Sequence, residues 1–388
     1  MKVLEIIFWL SLFITFYAFL GYGILLYFLV LIKRVFVKRQ LPAQNYEPKV
    51  SLVIPCFNEA PILDDKVANC RSLDYPKDKL DIVFITDGST DNFAEVLGKY
   101  PDVRLLHENR RGGKTAAENR AMKHIDNEIV IFTDANTVLN REVIRNIVRH
   151  FENPKTGCVS GEKRVLADDK DTATAGEGIY WKYESLLKRL DSELYSAVGA
   201  AGELVAFRTS LYREMPEDTL LDDFIQSMLI ASEGYKIVYD PDAYAMETGS
   251  ASIKDEWTRK VRISAGGWQS VKRLSGKITP LNNFTLWFQY ISHRVLRWTV
   301  TPFLLPLMFL VNLALVFGDC HLYKIVFALQ VLFYLAALAG WFLENRKTRL
   351  KILFVPYYFC MMNLAAIYGF RRFMSGPQKG AWEKAKRK

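Results

Sequence analysis

Residues Ile6–Ile32 form the longest stretch of this chain without a charged side chain, a run of 27 residues. As a helix this run would be about 40 Å long at about 1.5 Å per residue, enough to cross a hydrocarbon core of about 30 Å. A cleaved signal peptide is the alternative, but its apolar part is shorter and a small-residue cleavage site follows it. Lys33, Arg34, Lys38 and Arg39 come next, and the positive-inside rule then predicts that the following residues are cytosolic.

The C-terminal third contains three further charge-free runs, each close to the ~20 residues that a membrane-spanning helix requires: Thr299–Gly318, Ile325–Leu343 and Ile352–Phe370. Residues Phe284–Trp298 precede them and mix large apolar side chains with histidine and arginine, which predicts an amphipathic helix lying in the membrane interface. The chain is therefore expected to have three parts: an N-terminal membrane helix with a basic flank (residues 1–40), a cytosolic domain (41–278), and the interface helix with three hydrophobic segments and a basic tail (279–388).

The sequence gives conflicting signals about the side of the membrane that holds the C-terminal tail. Four full spans would carry the tail out of the cytosol, and this is the expectation. The tail is nevertheless basic from Arg371 to Lys388, which favours a cytosolic location. The alternative is a re-entrant or interfacial course for Ile352–Phe370, which contains Pro356 and two adjacent tyrosines.

Composition excludes several classes of function. The net charge of +9 is explained by the lysines and arginines that flank the apolar runs and fill the tail, and no nucleic-acid-reading motif accompanies it. The five cysteines lie far apart, without metal-ligand spacing, and are expected to be reduced structural residues. A transporter or channel is disfavoured because the apolar runs carry no central charge and flank a domain of ~240 residues.

Short apolar segments rich in β-branched residues recur in the first half of the expected cytosolic domain. Such segments are typical of buried parallel strands, and helical stretches lie between them. The alternation predicts an α/β fold in which ligands bind beyond the carboxyl ends of the strands. The predicted strands are Val50–Pro55, Ile82–Thr86, Val103–Leu106 and Ile129–Thr133.

Polar residues follow three of these strands at the point where each strand ends. Asn58 and Glu59 follow the first, Asp87 opens a DGSTD segment after the second, and Asp134 and Asn136 follow the fourth. Each segment alone is also typical of a turn followed by a helix N-cap. Together they would line one rim of the sheet with oxygen ligands, which suits a hard cation and a nucleotide.

The segment RRGGKT at residues 110–115 opens a predicted helix. Its cationic side chains, Lys114 among them, and its backbone N–H groups would face one point, which suits a diphosphate. The segment is not a P-loop, because Glu108 stands where the first glycine of that motif would be. A flexible loop with a solvated charge cluster is the alternative.

In this order and spacing, the segments resemble the family 2 glycosyltransferases of the GT-A fold, and the likeness covers nearly the whole chain. The matching segments are VIPCFNE, DGSTD, RGGK, the DxD-like DAN, a later DDF, an arginine-rich helix and the terminal apolar runs. The chain looks like the membrane-bound branch related to cellulose, hyaluronan and poly-N-acetylglucosamine synthases. The resemblance implies a Rossmann-like, nucleotide-sugar-binding GT-A domain between membrane helices.

The resemblance also implies roles in binding the nucleotide sugar. Asp87 would hydrogen-bond the uracil of a UDP-sugar. Asp134 would be the first residue of the metal-binding DxD motif, a ligand of Mg²⁺ or Mn²⁺. Asn136 holds the second acidic position of that motif, where an amide oxygen can still bind the cation but adds no negative charge. The residues implied near the nucleoside are Pro55, Asn58 and Glu59.

Asp223 matches the catalytic base of the family, the carboxylate that accepts the acceptor hydroxyl's proton during inverting transfer. Asp222 precedes it, and an N-cap role for either residue is the alternative. Arg259 and Arg262 align with the QxxRW motif of processive synthases, with Ile263 in place of the tryptophan. Because they share a helix face, both arginines are expected to meet the departing diphosphate, although a basic face toward anionic lipids remains an alternative.

The implied function is inverting transfer of a sugar from a UDP-sugar to a glycan or lipid-linked acceptor. The reaction would take place at the cytosolic face of the cell membrane, in extracellular polysaccharide biosynthesis. Membrane lipids and polysaccharide-assembly proteins are the expected partners, and nucleic acid is not. A catalytically degenerate membrane partner of an assembly complex is the alternative. Asn136 and the altered QxxRW motif favour that alternative, whereas the presence of Asp87, Asp134 and Asp223 opposes it.

Overall fold

The computed structural model describes residues 1–37, 46–166, 173–248, 253–345 and 350–376. Residues 38–45, 167–172, 249–252 and 346–349, and the basic tail beyond residue 376, lie outside the described residues.

The described residues form an α/β domain with long apolar helices at both ends of the chain. The eight strands are β1 (Val50–Cys56), β2 (Leu80–Asp87), β3 (Val103–Glu108), β4 (Ile129–Thr133), β5 (Val138–Leu139), β6 (Thr156–Leu166), β7 (Leu204–Arg208) and β8 (Lys236–Thr248). The helices of the domain are α2 (Ala60–Arg71), α3 (Phe93–Leu97), α4 (Lys114–Met122), α5 (Val143–Val148), α6 (Ala173–Leu194), α7 (Asp222–Ser232) and α8 (Ile253–Leu274). The apolar helices are α1 (Lys2–Phe36), α9 (Phe284–Leu315), α10 (His321–Asn345) and α11 (Lys351–Met374).

One mixed sheet holds all eight strands in the order β3-β2-β1-β4-β7-β6-β8-β5. The four strands predicted from the sequence are confirmed, and they pair in parallel. The second half differs, because β7 runs antiparallel to both β4 and β6. The α/β class is therefore correct. The strands whose carboxyl ends carry the predicted nucleotide residues are all parallel, whereas the second half mixes antiparallel pairs with the parallel pair of β6 and β8.

Alternation along β1 explains why helices cover both faces of the sheet. Leu52 and Ile54 point to a core that contains Leu63 of α2 and Ile144 of α5. Val53 points to the opposite core, with residues of α4 and α7. All three β1 side chains are fully buried, as expected for a central parallel strand covered on both faces.

Four helices among the described residues, α1, α9, α10 and α11, are long and apolar enough to cross a membrane. Helices α1 and α9 pack antiparallel. Phe8 shares an apolar cluster with Leu315 at the C-terminal end of α9, whereas Tyr17, further along α1, bonds Ser292 near the N-terminal end of α9. The end marked by Phe8 lies away from the α/β domain, and the other end lies against it.

The structure corrects the expected interface helix at Phe284–Trp298. This segment continues without a break into the following apolar run as α9, with π-helical turns at Ile291–Val300 immediately before Pro302. Wider turns at this point accommodate a proline, which has no N–H to donate within the helix. The polar face of the segment does not lie on the membrane surface, since Gln289 and His293 are fully buried against α6.

A buried seam of charged groups joins α6 to the apolar helices. The Asp191 carboxylate accepts hydrogen bonds from the Tyr22 hydroxyl of α1 and the Gln289 amide of α9, and its Oδ2 is 2.6 Å from His293 Nδ1. Glu184 pairs with Arg294 of α9 at 2.6 Å. Buried carboxylates need such partners, so the seam fixes how the α/β domain sits on α1 and α9.

Candidate active site

The loops after β1 and β2 are bonded to each other, which builds one wall of the candidate site. The Asn58 backbone N–H donates to Ser89 Oγ at 3.1 Å, and the Asn58 side-chain oxygen accepts from the Thr90 N–H at 2.8 Å. Asn58 has a positive φ of 52°, which asparagine tolerates better than most residues. Glu59 follows directly at the start of α2. Asn58, one of the residues predicted near the nucleoside, therefore joins the loops after β1 and β2.

Asp87 lies at the end of β2 and holds the glycine loop in place. Its carboxylate accepts hydrogen bonds from the Gly112 N–H at 3.1 and 3.0 Å, the Gly113 N–H at 2.6 Å and Arg120 at 2.6 Å. The residue is only 4% exposed. Its observed contacts thus orient the loop that opens α4, while its hydrogen bond to a base stays a prediction.

Lys114, the first residue of α4, reaches the end of β4. Its ammonium group donates to Asp134 Oδ1 at 2.6 Å and to the Gly202 carbonyl at 3.0 Å. Burial alone would lower the pKa of Lys114, but Asp134, Glu118 and Asp222 outweigh burial and raise it. Lys114 is therefore a permanently charged cation at the carboxyl ends of the parallel strands.

Asp222 and Asp223 are the first two residues of α7, and Leu221 is its N-cap, so neither aspartate is the cap itself. A Cβ atom added at Gly202 would lie 3.1 Å from Asp223 Oδ2 and 3.3 Å from Lys114 Nζ. The glycine thus lets the carboxylate approach the ammonium group. Burial, reinforced by the negative charge of Asp222, raises the pKa of Asp223 to about 7.

The two arginines of α8 have different surroundings in the structure. Arg262 lies within the electrostatic reach of Asp222, Asp223 and Asp134, although burial is the main cause that lowers its pKa. Arg259 bonds Glu256 at 3.1 and 3.3 Å, and burial is offset there by Glu256, so that its pKa is raised. A role for Arg259 at a diphosphate stays a prediction, because its observed partner lies on its own helix.

The donor set suits a divalent cation, although the protein supplies few ligands. No group of three or more His, Cys, Asp or Glu side chains within the described residues is arranged to hold a metal. Asp134 and Asn136 nevertheless offer hard oxygen atoms. Among the described residues, the buried Asn136 Nδ2 has no hydrogen-bond partner that would fix the amide. One or two protein ligands completed by substrate phosphates are the usual mode of Mg²⁺ binding.

Sequence reasoning assigned no role to Glu118, Gly202, Lys163 and Glu203. The sequence could have indicated a pairing of Glu118 with Lys114, because the two residues are four apart on α4. Their side chains approach to 3.9 Å. Lys163 also carries a signal, since a lysine within a strand requires a partner; it pairs with Glu203 at 2.5 Å and with Glu247. Gly202 carries no sequence signal of its own.

Residues 51–215 of the chain match the model of Glycosyl transferase family 2. The fold agrees with that of the mannosyltransferase PcManGT from Pyrobaculum calidifontis, solved in complex with GDP-Man and Mn²⁺. The TM-score is 0.72 at 23% identity, over 95% of this chain and 99% of the other. The likeness supports the GT-A fold, and the matched model indicates the glycosyltransferase class.

Among curated proteins, the chain is similar to poly-beta-1,6-N-acetyl-D-glucosamine synthases. It is 26% identical over 253 residues to the synthase of Staphylococcus epidermidis, which covers 63% of this chain and 61% of the relative. It is 26% identical over 236 residues to that of Staphylococcus aureus strain COL, covering 58% and 56%. The chain thus spans about six-tenths of the length of the curated relatives that it matches.

Proposed function

We propose that this chain is an inverting glycosyltransferase that moves a sugar from a UDP-sugar to a glycan or lipid-linked acceptor in polysaccharide biosynthesis. The observation that carries the proposal is the position of Asp223, a half-buried carboxylate with a pKa of about 7, beside Lys114 at the carboxyl ends of the parallel strands. A carboxyl group with a pKa near the operating pH is suited to general base catalysis. Inverting transfer requires one such base.

Asp223 accepts the proton of the acceptor hydroxyl as that oxygen attacks the anomeric carbon, and the nucleoside diphosphate leaves. Lys114 and Arg262 stabilise the negative charge that develops on the departing diphosphate. Asp134 and Asn136 would hold Mg²⁺ or Mn²⁺. When bound, the cation neutralises charge on the diphosphate. Asp87 orients the Gly112–Gly113 loop, which opens the helix that carries Lys114.

The activities for which the similar proteins are named guide the choice of donor. The curated relatives are N-acetylglucosamine polymer synthases, which favours N-acetylglucosamine as the sugar and a polysaccharide as the product. The solved mannosyltransferase holds GDP-Man, so GDP is the competing nucleotide. The long apolar helices and their basic flanks support a multi-pass protein of the cell membrane with a cytosolic catalytic domain. Membrane lipids and polysaccharide-assembly proteins are its proposed partners.

UDP is expected to raise the thermal unfolding temperature of the purified protein, more strongly with Mn²⁺ or Mg²⁺ than with chelator. Ligand at a hundredfold excess over its dissociation constant stabilises a folded protein by about 2.7 kcal/mol. Asp134→Asn should lose the metal-dependent part of the shift. The exposed Asp126→Asn should keep it and serves as the matched control. Protection by GDP or CMP but not by UDP would contradict the proposed donor.

The activity is expected to rise with pH through about 7, because Asp223 must be ionised to accept a proton. Asp222→Asn should move the midpoint of the kcat/KM profile to lower pH, since the charge of Asp222 is one of the causes that raise the pKa of Asp223. Asp218→Asn is the control, because Asp218 pairs with Arg273 at 2.7 Å and lies 44% exposed. An unchanged midpoint in Asp222→Asn would contradict the assignment.

A further inference from the structure

The last apolar helix, α11, packs along α8, the helix that carries Arg262. A Cβ atom added at Gly369 of α11 would lie 2.4 Å from the Ser264 side chain and 2.8 Å from the Ala265 backbone nitrogen. The rings of Phe370 and Trp268 lie 4.6 Å apart, centroid to centroid. The glycine therefore brings the two helices into backbone contact close to Arg262.

The two ends of α11 lie on the same side of the other apolar helices. Its first turn touches the C-terminal part of α10, where a Cβ at Gly340 would lie 2.4 Å from the Leu353 carbonyl. Near its other end, the ring of Phe370 lies 5.6 Å from Phe303. Phe303 is 15 residues, or about 22 Å of helix, from Gly318, which contacts Met1 at the end remote from the domain.

A helix that crossed the membrane after α10 would bring its C-terminal end to the level of Gly318. Helix α11 ends instead against α8, so it lies across α9 and α10 near the α/β domain. Helix α11 is long and apolar enough to cross a membrane, but its contacts at both ends are not those of a helix that crosses. Four full spans with a non-cytosolic tail were the expectation from the sequence. This course instead matches the alternative, in which Ile352–Phe370 is re-entrant or interfacial.

This course brings Arg372 to the candidate site. Arg372 follows Gly369 by three residues, on the face of α11 that meets α8, and it is half-buried, whereas the adjacent Arg371 is exposed. Its charge contributes, after burial, to the lowered pKa of Arg262. Neighbouring carboxylates attract the Arg262 guanidinium while Arg372 repels it, and an anion bound beside both arginines would lessen that repulsion.

We propose that Arg372 of α11 binds the diphosphate of the donor together with Arg262, and that α11 stays on the catalytic side of the membrane to deliver it. The assignment rests on the proposed function, since it takes a nucleoside diphosphate as the ligand. Arginine suits this role because its planar fork binds phosphate oxygens through two hydrogen bonds. The C-terminal helix is thereby part of the active site.

The binding test compares Arg372→Ala, Arg372→Lys and Arg371→Ala in the full-length protein. Isothermal titration would measure affinities for UDP and uridine, and for GDP and guanosine, in the absence of lipid acceptor. Arg372→Ala should weaken binding of the preferred diphosphate by about ten- to a hundredfold, the range of a hydrogen bond between charged groups. Arg372→Lys should keep part of the affinity, and Arg371→Ala all of it. Affinity for the nucleoside should not change in any variant.

Equal affinities of wild type and Arg372→Ala for the diphosphate would overturn the assignment, and so would an equal loss for the nucleoside. If the wild type binds neither diphosphate, the proposed function fails and the assignment fails with it. Loss of diphosphate binding that Arg371→Ala reproduces would indicate a general charge effect and would also overturn it.

Cysteine labelling tests the course of α11 independently of any ligand. Cys320 lies exposed in the loop between α9 and α10, at the end remote from the α/β domain. One variant keeps Cys320 as its single cysteine, and a second variant, without native cysteines, carries Ser375→Cys. With an impermeant reagent, the two cysteines should react from opposite sides of the membrane. Labelling of both positions from the same side would show that α11 crosses the membrane and would overturn its placement.

Discussion

Asp223→Asn is expected to lower turnover by about 10²- to 10⁴-fold, the usual contribution of general acid–base catalysis, while donor affinity stays near the wild-type value. Asparagine has nearly the same shape as aspartate but cannot accept the proton of the acceptor hydroxyl. Because proton transfer occurs only in the transition state, binding of the nucleotide should be little affected. The measurements are kcat with saturating donor and the dissociation constant of the nucleoside diphosphate.

Asp218→Asn is the matched control for this variant. It also removes a carboxylate close to α7 in sequence, but Asp218 pairs with Arg273 rather than with the Lys114 cluster. Turnover of the control should remain near that of the wild type. If a well-folded Asp223→Asn protein kept wild-type turnover, another group would have to be the base.

Arg262→Ala is expected to lower kcat by about 10²- to 10³-fold, the range found when one donor to a developing negative charge is removed. Arg262 lies among the charges of Asp222, Asp223 and Asp134, where the diphosphate would depart. Its interaction strengthens as the sugar–phosphate bond breaks, so kcat should fall more than donor affinity. Single-turnover kinetics with the natural donor separate the two effects.

Arg259→Ala is the comparison variant, since Arg259 lies one turn away on the same helix. Its guanidinium is bonded to Glu256, which is only 7% exposed. Removing the guanidinium leaves a buried carboxylate with fewer partners, so the unfolding temperature should fall. The kcat of the folded protein should fall much less than in Arg262→Ala. An equal loss of kcat in both variants would support the sequence-based expectation that both arginines meet the diphosphate.

The sequence predicted the first half of the sheet because those strands are continuous apolar runs. Val50–Cys56 and Ile129–Thr133 are almost entirely buried, so composition alone marks them as strands. Strand β6 escaped prediction because it carries Glu162, Lys163 and Arg164 in succession. These charges are tolerated where partners from other elements meet them, as Glu203 and Glu247 meet Lys163, and no local pattern reveals such partners.

The rim residues of the site were predictable for a geometric reason, since the ends of parallel strands converge at one edge of a sheet. Asp87 and Asp134 followed from that rule alone. The contacts within the rim did not follow from it. That Gly202 makes room for Asp223 beside Lys114, and that Arg372 approaches Arg262 from the last helix, depends on how distant segments pack. The same holds for α9, whose polar face meets α6 rather than the membrane surface.

The most direct test of the account is donor turnover by the purified full-length chain in lipid vesicles. A panel of UDP-N-acetylglucosamine, UDP-glucose, GDP-mannose and CMP-sialic acid would be supplied with Mn²⁺, and release of the nucleotide would be measured. The account predicts that wild type releases UDP from a UDP-sugar and that Asp223→Asn does not. Failure to release a nucleotide from any donor, or equal release by Asp223→Asn, would contradict it.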